Sequence, residues 1–360
     1  MIRILQCVNN MHRAGLETML MNYYRNIDRS KIQFDFLMHR QEPSDYDDEI
    51  LSMGGRIYRA PRLYPQNYPT YFAYMKKFFR EHPEYKIVHS HIDAMSYLPL
   101  LAAKRAGVPV RIAHSHSTSI DRDLKYLLKQ MFRIMIPCVA THFFSCGDQA
   151  GRFLFRGRPF QTIPNAIDPS KFLFNQDIRD EKRKELNIER KLVIGHVGRF
   201  CYPKNHEFLV DIFEQVYRKN ENSVLILVGT GEKEAQIREY VKMKNLSKAV
   251  LFMGSRSDVS ELYQVMDVFV MPSLFEGVPV VGIEAQFSGL PCIFSDRVSA
   301  EVEFTDRCQF IPLEVGAEQW SRTLLDTWHH SREEQMILFP KYDVHQAQEI
   351  LTDYYQTLNA

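Results

Sequence analysis

The 360-residue chain has no apolar run long enough to cross a bilayer. Its longest uncharged stretch near a candidate span, Ile134 to Gly147, is interrupted by Pro137 and His142. The opening "MIRILQCVNNMHR" lacks the apolar core and small-residue cleavage site of a secretory leader. A cytoplasmic protein is therefore expected, at most resting on the inner face of the plasma membrane. Cysteine is sparse: six residues without CxxC spacing argue for reduced, buried thiols rather than a disulfide framework. Repeats and low-complexity segments are absent. The first strand is followed by "NNMHRAGLE" instead of Gly-x-Gly-x-x-Gly, which sets aside a nicotinamide oxidoreductase.

What is present is an ordinary globular composition, 45% apolar and 25% charged, in a chain long enough for two domains. The net charge of +1 conceals an asymmetry. Residues 1–168 hold 23 Lys+Arg against 15 Asp+Glu, and the remainder holds 22 against 29. Uneven solvated faces would explain this; so would a first half that meets an anionic surface or acceptor.

Short apolar runs alternate with helical patterns along the whole chain. "IRILQCV" reads as a strand, followed by a helix over 16–29 with Leu16, Met19, Leu20 and Tyr23 on one face. "QFDFLMH", "RIYRAP", "KIVHSH", "VRIAHSHS" and "HFFSCG" are further strands. The order restarts at "KLVIGHVGRF" and continues through "SVLILVGTG", "VLFMGS", "VFVMPS" and "PCIFSD". Such alternation predicts α/β architecture, with two doubly wound parallel sheets and a joint near the turn-rich "IPNAIDPSKF". Ligands of such sheets bind beyond the carboxyl ends of the strands, so loops facing a cleft are the place to look for chemistry.

Three loops there carry candidate residues. In "GHVGRFCYPKNHEFL", Gly198 closes a strand and Arg199 and Lys204 follow; two cations there suit a diphosphate, the plain alternative being a solvated pair. "LVGTGE" presents Gly229 and Gly231, where backbone is expected to come close to a ligand, though many glycine pairs are only turns. "LFEGVPVVGIEA" sets Glu276 ahead of a Gly-x-Pro turn and Glu284 eight residues on. Pro279 is expected in the first helical turn, leaving the amides of Gly277, Val278 and Val280 at the positive helix end. Helical rise would separate the two carboxylates by roughly 12 Å, suiting two parts of one extended ligand.

A Gly-Arg-x4-Lys-Asn loop, a Gly-x-Gly turn and Glu-x7-Glu with internal Gly-x-Pro together resemble the retaining GT-B glycosyltransferases of family 4, whose "PNGVD" junction "IPNAID" also resembles. The likeness covers the whole chain and is strongest from Ile163 to Ala300. It implies a fold of two Rossmann-like domains facing across a cleft: an acceptor-binding domain over 1–168, a nucleotide-sugar-binding domain over 169–340, and a last helix, 341–360, crossing back to the first. It further implies that Arg199 and Lys204 hold the donor's diphosphate, that Glu276 and the following amides meet the sugar, and that Glu284 binds the ribose. Gly254 and Arg256 lie in "MGSRSDV", where this family holds the nucleobase. Gly15 in "HRAGLET" is the close-approach residue of the first domain, with Ala14 standing where the family commonly has a second glycine.

"VHSH" and "AHSH" each place two histidines at a strand end. Zinc would need further ligands at suitable spacing, and none is evident. Strand-end polarity is the plain reading; the resemblance implies that His116 lies beside donor sugar and acceptor, with His91 and His114 as less certain neighbours. Asp45–Asp47 and Asp121–Asp123 are read as caps, not metal ligands. Residues 121–136 form a basic, apolar helix, expected to face the core, with an interfacial helix at a lipid-linked acceptor as the alternative. Residues 342–358 form the closing helix.

The reading is thus a metal- and cofactor-independent glycosyltransferase, with Glu276, His116, Arg199 and Lys204 as its catalytic group. Its expected partners are a nucleotide sugar with UDP as the nucleotide and a saccharide or lipid-linked acceptor in cell-surface polysaccharide synthesis, but no nucleic acid. A sugar-nucleotide epimerase of the same fold and a catalytically silent subunit are the alternatives.

Overall fold

The computed structural model describes residues 1–120, 125–328, 332 and 339–359. The chain forms two compact units, Met1–Ala166 with Pro340–Ala360, and Ile167–Phe339.

In the first unit, β1 (Ile2–Val8), β2 (Ile32–Met38), β3 (Ile57–Arg59), β4 (Ile87–Ser90), β5 (Val110–Ser115), β6 (His142–Ser145) and β7 (Gln161–Thr162) make a parallel sheet in the order β3-β2-β1-β4-β5-β6-β7. Helices cover both faces, so the central strands read as continuous apolar runs rather than alternating ones. β2 is buried at every position, Asp35 included. That carboxylate is held by Arg3 Nε at 2.6 Å, the Arg56 amide at 2.7 Å and the Tyr85 hydroxyl at 2.8 Å. A buried charge is tolerable only with such partners. The closing helix, Val344–Asn359, belongs to this unit, burying Val344, Ala347, Leu351 and Tyr355 and packing beside the helix Gly15–Asn26.

In the second unit, β8 (Leu192–Val197), β9 (Ser223–Val228), β10 (Val250–Gly254), β11 (Val268–Met271), β12 (Cys292–Ser295) and β13 (Cys308–Ile311) form a parallel sheet in the order β10-β9-β8-β11-β12-β13. The direction of winding reverses between β1 and β4 in the first unit and between β8 and β11 in the second. At such points the loops after neighbouring strands part and leave a crevice.

Several expectations need correction. β7 and β13 were not anticipated: one is two residues long, and the other, "CQFI", is a half-buried edge without a continuous apolar run. Pro279 is not inside the first helical turn. It is the cap of the helix Val280–Phe287, its carbonyl accepting from the Gly282 amide at 3.0 Å. The 12 Å built on helical rise therefore does not apply, because Glu276 lies in extended backbone, bridged in parallel to Val298. The helix Tyr126–Met135 buries only Phe132, while Leu127, Met131 and Ile134 are 80%, 46% and 58% exposed. Helical period alone does not say which medium an apolar face meets. Asp47 accepts from the Ser44 amide and pairs with Arg59 at the start of the helix Asp47–Ser52. Asp121–Asp123 lies outside the described residues.

Candidate active site

The second unit's site is built at its switch point. After β8 the chain runs through Gly198 and Arg199 into the short 3-10 turn Tyr202–Lys204, then through Asn205 in a left-handed conformation (φ 55°) into the helix His206–Lys219. The segment after β11 is fastened to that turn: Leu274 N donates to Pro203 O at 2.8 Å and Asn205 Nδ2 to Pro272 O at 3.1 Å. This brings Glu276 onto Lys204, with Nζ and Oε1 2.8 Å apart and both side chains mostly shielded. The two residues expected to serve sugar and diphosphate separately are thus ion-paired with each other. Arg199 is 67% exposed and pairs with Glu232 at 3.1 Å, a residue not singled out from sequence.

The glycines after β9 lie against backbone of the protein itself. A Cβ at Gly229 (φ 133°) would stand 2.2 Å from Gly198 O, and one at Gly231 2.4 Å from Phe200 O. Their close approach is to the backbone of the loop carrying Arg199, so they let two loops lie against each other. A Cβ at Gly198 would meet His196 Nε2 at 3.0 Å. Gly254 is in a left-handed conformation at φ 67°, with open space around a would-be Cβ, and its carbonyl accepts from Gly229 N at 2.8 Å. Arg256 is clamped by Asp258 through two hydrogen bonds of 2.8 and 2.6 Å.

Glu284 sits on the second turn of the helix Val280–Phe287, buried, with Oε2 accepting from the Tyr263 hydroxyl at 2.9 Å. Burial pushes its carboxyl up to about 7, partly opposed by that hydrogen bond. Tyr263 was missed from sequence because its partner lies in another element; no local pattern marks it. Among the described residues no hydrogen-bond acceptor reaches the Gly277 amide, ahead of the helix. A concavity of about 520 Å³ elsewhere in this unit, lined by Phe174, Ile178 and Gln264 among others, includes none of these residues.

In the first unit, Gly15 opens the helix Gly15–Asn26 beyond β1, with Ala14 as its extended cap. His89, His91, His114 and His116 gather at the carboxyl ends of β4 and β5. Their rings stack at centroid distances of 4.1 Å for His89–His91 and for His114–His116. Hydrogen bonds join His89 Nε2 to His114 Nδ1 (3.1 Å), His91 Nδ1 to His116 Nε2 (3.0 Å), His89 Nδ1 to the Tyr355 hydroxyl (2.6 Å) and His91 Nε2 to Gln6 Oε1 (2.8 Å). Burial holds all four neutral, pushing His116 down to about 3. Among the described residues, His89, His91 and His114 are the one group whose ligand atoms fall within 4.8 Å of one another. Within that group His89 Nε2 and His114 Nδ1 already face each other in a hydrogen bond of 3.1 Å, and His91 Nε2 is held by Gln6.

Two Rossmann-like units, with a cation–carboxylate pair at the switch point of the second, define a glycosyltransferase of the GT-B type. The chain belongs to glycosyltransferase family 4: residues 13–171 match the family described as "Glycosyltransferase Family 4" and residues 191–322 "Glycosyl transferases group 1". It is 41% identical over 310 residues to the putative glycosyltransferase EpsF of Bacillus subtilis, covering 84% of this chain and 81% of that one. It is 30% identical to UDP-Gal:alpha-D-GlcNAc-diphosphoundecaprenol alpha-1,3-galactosyltransferase of Escherichia coli, over 59% of this chain and 58% of the relative. Among solved structures, Anabaena Alr3699/HepE in complex with UDP and glucose superposes with a TM-score of 0.83, covering 99% of this chain and 100% of that one at 16% identity. The protein is therefore a glycosyltransferase, and the epimerase alternative is not supported. Among the described residues no helix is long and apolar enough to cross a membrane.

Proposed function

We propose that the enzyme transfers a sugar from a UDP-sugar to a saccharide carried on a lipid diphosphate, with retention of anomeric configuration and without metal or cofactor. The observation that carries this reading is the Lys204–Glu276 pair at the β8/β11 switch point. In this reading residues 169–340 bind the donor and residues 1–168 the acceptor. Lys204 and Arg199 stabilise the charge that develops on the leaving diphosphate as the glycosidic bond breaks. Glu276 and the Gly277, Val278 and Val280 backbone hold sugar hydroxyls, and Glu284 accepts from the ribose hydroxyls. The β10 loop with Gly254 and Arg256 flanks the base, Gly198 and Gly229 let the loops approach, and Gly15 meets the phosphates. His116 contacts the transferred sugar. The acceptor hydroxyl attacks from the face the diphosphate leaves, and its proton passes to the departing phosphate oxygen.

The donor nucleotide and acceptor class follow the E. coli relative, whose name gives UDP-galactose and a diphosphoundecaprenol-linked sugar. A lipid acceptor suits the exposed stripe Leu127, Met131 and Ile134 on a positively charged half-chain, which would rest on the inner face of the plasma membrane. The test is sugar transfer from a panel of UDP-, GDP- and ADP-sugars to polyprenyl-diphosphate saccharides in EDTA. Transfer confined to a UDP-sugar supports the reading, and wild-type protein that binds UDP yet transfers from no donor makes it a silent subunit.

A further inference from the structure

The hydrogen bonds of His89, His91, His114 and His116 form two arms that meet at one amide. Gln6, fully buried on β1, accepts from His91 Nε2 at 2.8 Å and donates through Nε2 to the Tyr355 hydroxyl at 3.3 Å. Tyr355 comes from the closing helix Val344–Asn359, 349 residues away in sequence. Each neutral imidazole has one N–H and one bare nitrogen, so fixing one end of an arm fixes every ring along it.

Two polarities satisfy the arms, related by turning over the Gln6 amide. One of them puts an O–H donor on the shortest link. The Tyr355 oxygen is 2.6 Å from His89 Nδ1, closer than any other link of the two arms, and O–H donors make shorter bonds than N–H donors. In that polarity Tyr355 donates to a bare His89 Nδ1 and accepts from Gln6 Nε2. His89 Nε2–H then donates to His114 Nδ1 at 3.1 Å, and His114 Nε2–H ends the arm buried, with no partner among the described residues. On the other arm, Gln6 Oε1 accepts from His91 Nε2–H. His91 Nδ1 is then bare and accepts from His116 Nε2–H at 3.0 Å, so His116 Nδ1 carries no proton.

We propose that Gln6 and Tyr355 are positioning residues that lock His116 in the Nε2–H tautomer, so that its Nδ1 is an acceptor for a substrate hydroxyl. Tyr355 acts without touching His116, by preventing the Gln6 amide from turning over. The closing helix thereby sets the chemistry of a residue at the end of β5. The link to catalysis rests on the reading that His116 contacts the sugar; the tautomer assignment does not.

The two parts are tested separately on the full chain. Two-bond proton–nitrogen NMR correlation reads each imidazole tautomer, with His116 assigned by His116→Gln. The wild type is expected to show His116 as a single Nε2–H form. Tyr355→Phe, which keeps the ring against Phe34, is expected to give a mixture at His116, and Gln6→Met the same. In transfer assays the two variants are expected to lose about tenfold in kcat with donor KM unchanged, the mark of misplaced rather than missing binding groups. An Nδ1–H form in the wild type overturns the proposal. So does a His116 spectrum unchanged in Tyr355→Phe, which carries the test alone if Gln6→Met fails to fold. Wild-type protein that shows the expected tautomers but transfers no sugar leaves the lock standing and removes the proposed function instead.

Discussion

The Tyr263 hydroxyl donates to Glu284 at 2.9 Å, and this single bond is all that opposes the burial holding that carboxyl near neutrality. The folded value, about 7, lies above the ordinary 4.5 of a glutamate. Between these values the folded state binds more protons than the unfolded one, so stability falls as pH rises through the window. The full penalty is present above about 7. Under the proposed ribose contact, a site that needs this carboxylate ionised works against its own fold.

That opposition predicts a trade. Glu284→Gln should raise stability at pH 8 by about 1–3 kcal/mol and do nothing at pH 4. The same variant should bind UDP at least tenfold more weakly, because its amide cannot accept two hydroxyls with a charge. Wild-type UDP affinity should fall about tenfold per unit as pH drops below 7, and Tyr263→Phe should move that decline to higher pH. Calorimetric titration from pH 5.5 to 8.5 checks both; a flat profile would show that Glu284 is not the ribose partner.

The Lys204–Glu276 pair separates binding from turnover. Lys204→Ala removes a charge-assisted contact to the diphosphate and leaves Glu276 unpaired, so UDP affinity should drop by about 10- to 100-fold. Glu276→Gln frees the ammonium instead, and UDP affinity should hold or rise while turnover falls about 100- to 1000-fold. Equal losses of UDP affinity in both variants would mean the pair is only structural.

Much of this was legible in sequence, and the reason is physical. Parallel strands buried on both faces are continuous apolar runs, so "IRILQCV" and "SVLILV" announce themselves, whereas the two-residue β7 has no pattern to show. Arg199, Lys204, Glu276 and Glu284 were visible as residue types in a given order. Their partners were not. Glu232 is joined to Arg199, Tyr263 to Glu284, and Gln6 and Tyr355 to His91 and His89, by contacts that depend on which element lies beside which, and no local spacing encodes that. The glycines after β9 were legible as points of close backbone approach, but the neighbouring loop that they approach was not.

Those glycines give a graded test. Gly231→Ala puts a methyl group 2.4 Å from Phe200 O, a backbone atom that cannot swing away. It should shift the Arg199 loop, abolish measurable UDP binding and cost about 2–4 kcal/mol. Gly254→Ala, at the end of β10, meets no protein atom and should cost only about 1 kcal/mol for its left-handed φ, with UDP binding weakened rather than abolished. Urea melts with UDP titration distinguish the two.

Buried neutral histidines make the fold acid-sensitive. His39 and His196 are pushed down to about 4 and His206 to about 2, chiefly by burial, from 6.5 in the unfolded chain. Depressed values mean that the unfolded state binds the extra protons. The stability they permit is complete above 6.5 and is lost as pH falls toward 4, by about 1.4 kcal/mol per group per unit. His206 stacks on Phe200 at 4.2 Å with both ring nitrogens buried and unpaired. His206→Leu should therefore stabilise by about 1–2 kcal/mol at pH 7 and more at pH 5. Thermal melts across this range decide it, and a variant that melts lower at pH 5 would contradict the account.

The last prediction concerns the stripe on the helix Tyr126–Met135. Leu127, Met131 and Ile134 follow one another at helical spacing and stay exposed, so replacing them removes no core packing. The triple variant Leu127→Ser, Met131→Ser, Ile134→Ser should leave thermal stability within about 0.5 kcal/mol of wild type, as surface changes do. If the stripe enters the interfacial region of a membrane, the same variant should lose most of its binding to vesicles containing anionic lipid. Binding by the wild type should weaken with salt, because the positive charge of the first half adds attraction that ions screen. Flotation assays of both proteins on anionic and neutral vesicles separate the contributions. Loss with the variant on both lipid types assigns the contact to the apolar stripe, and retention on anionic vesicles assigns it to charge alone.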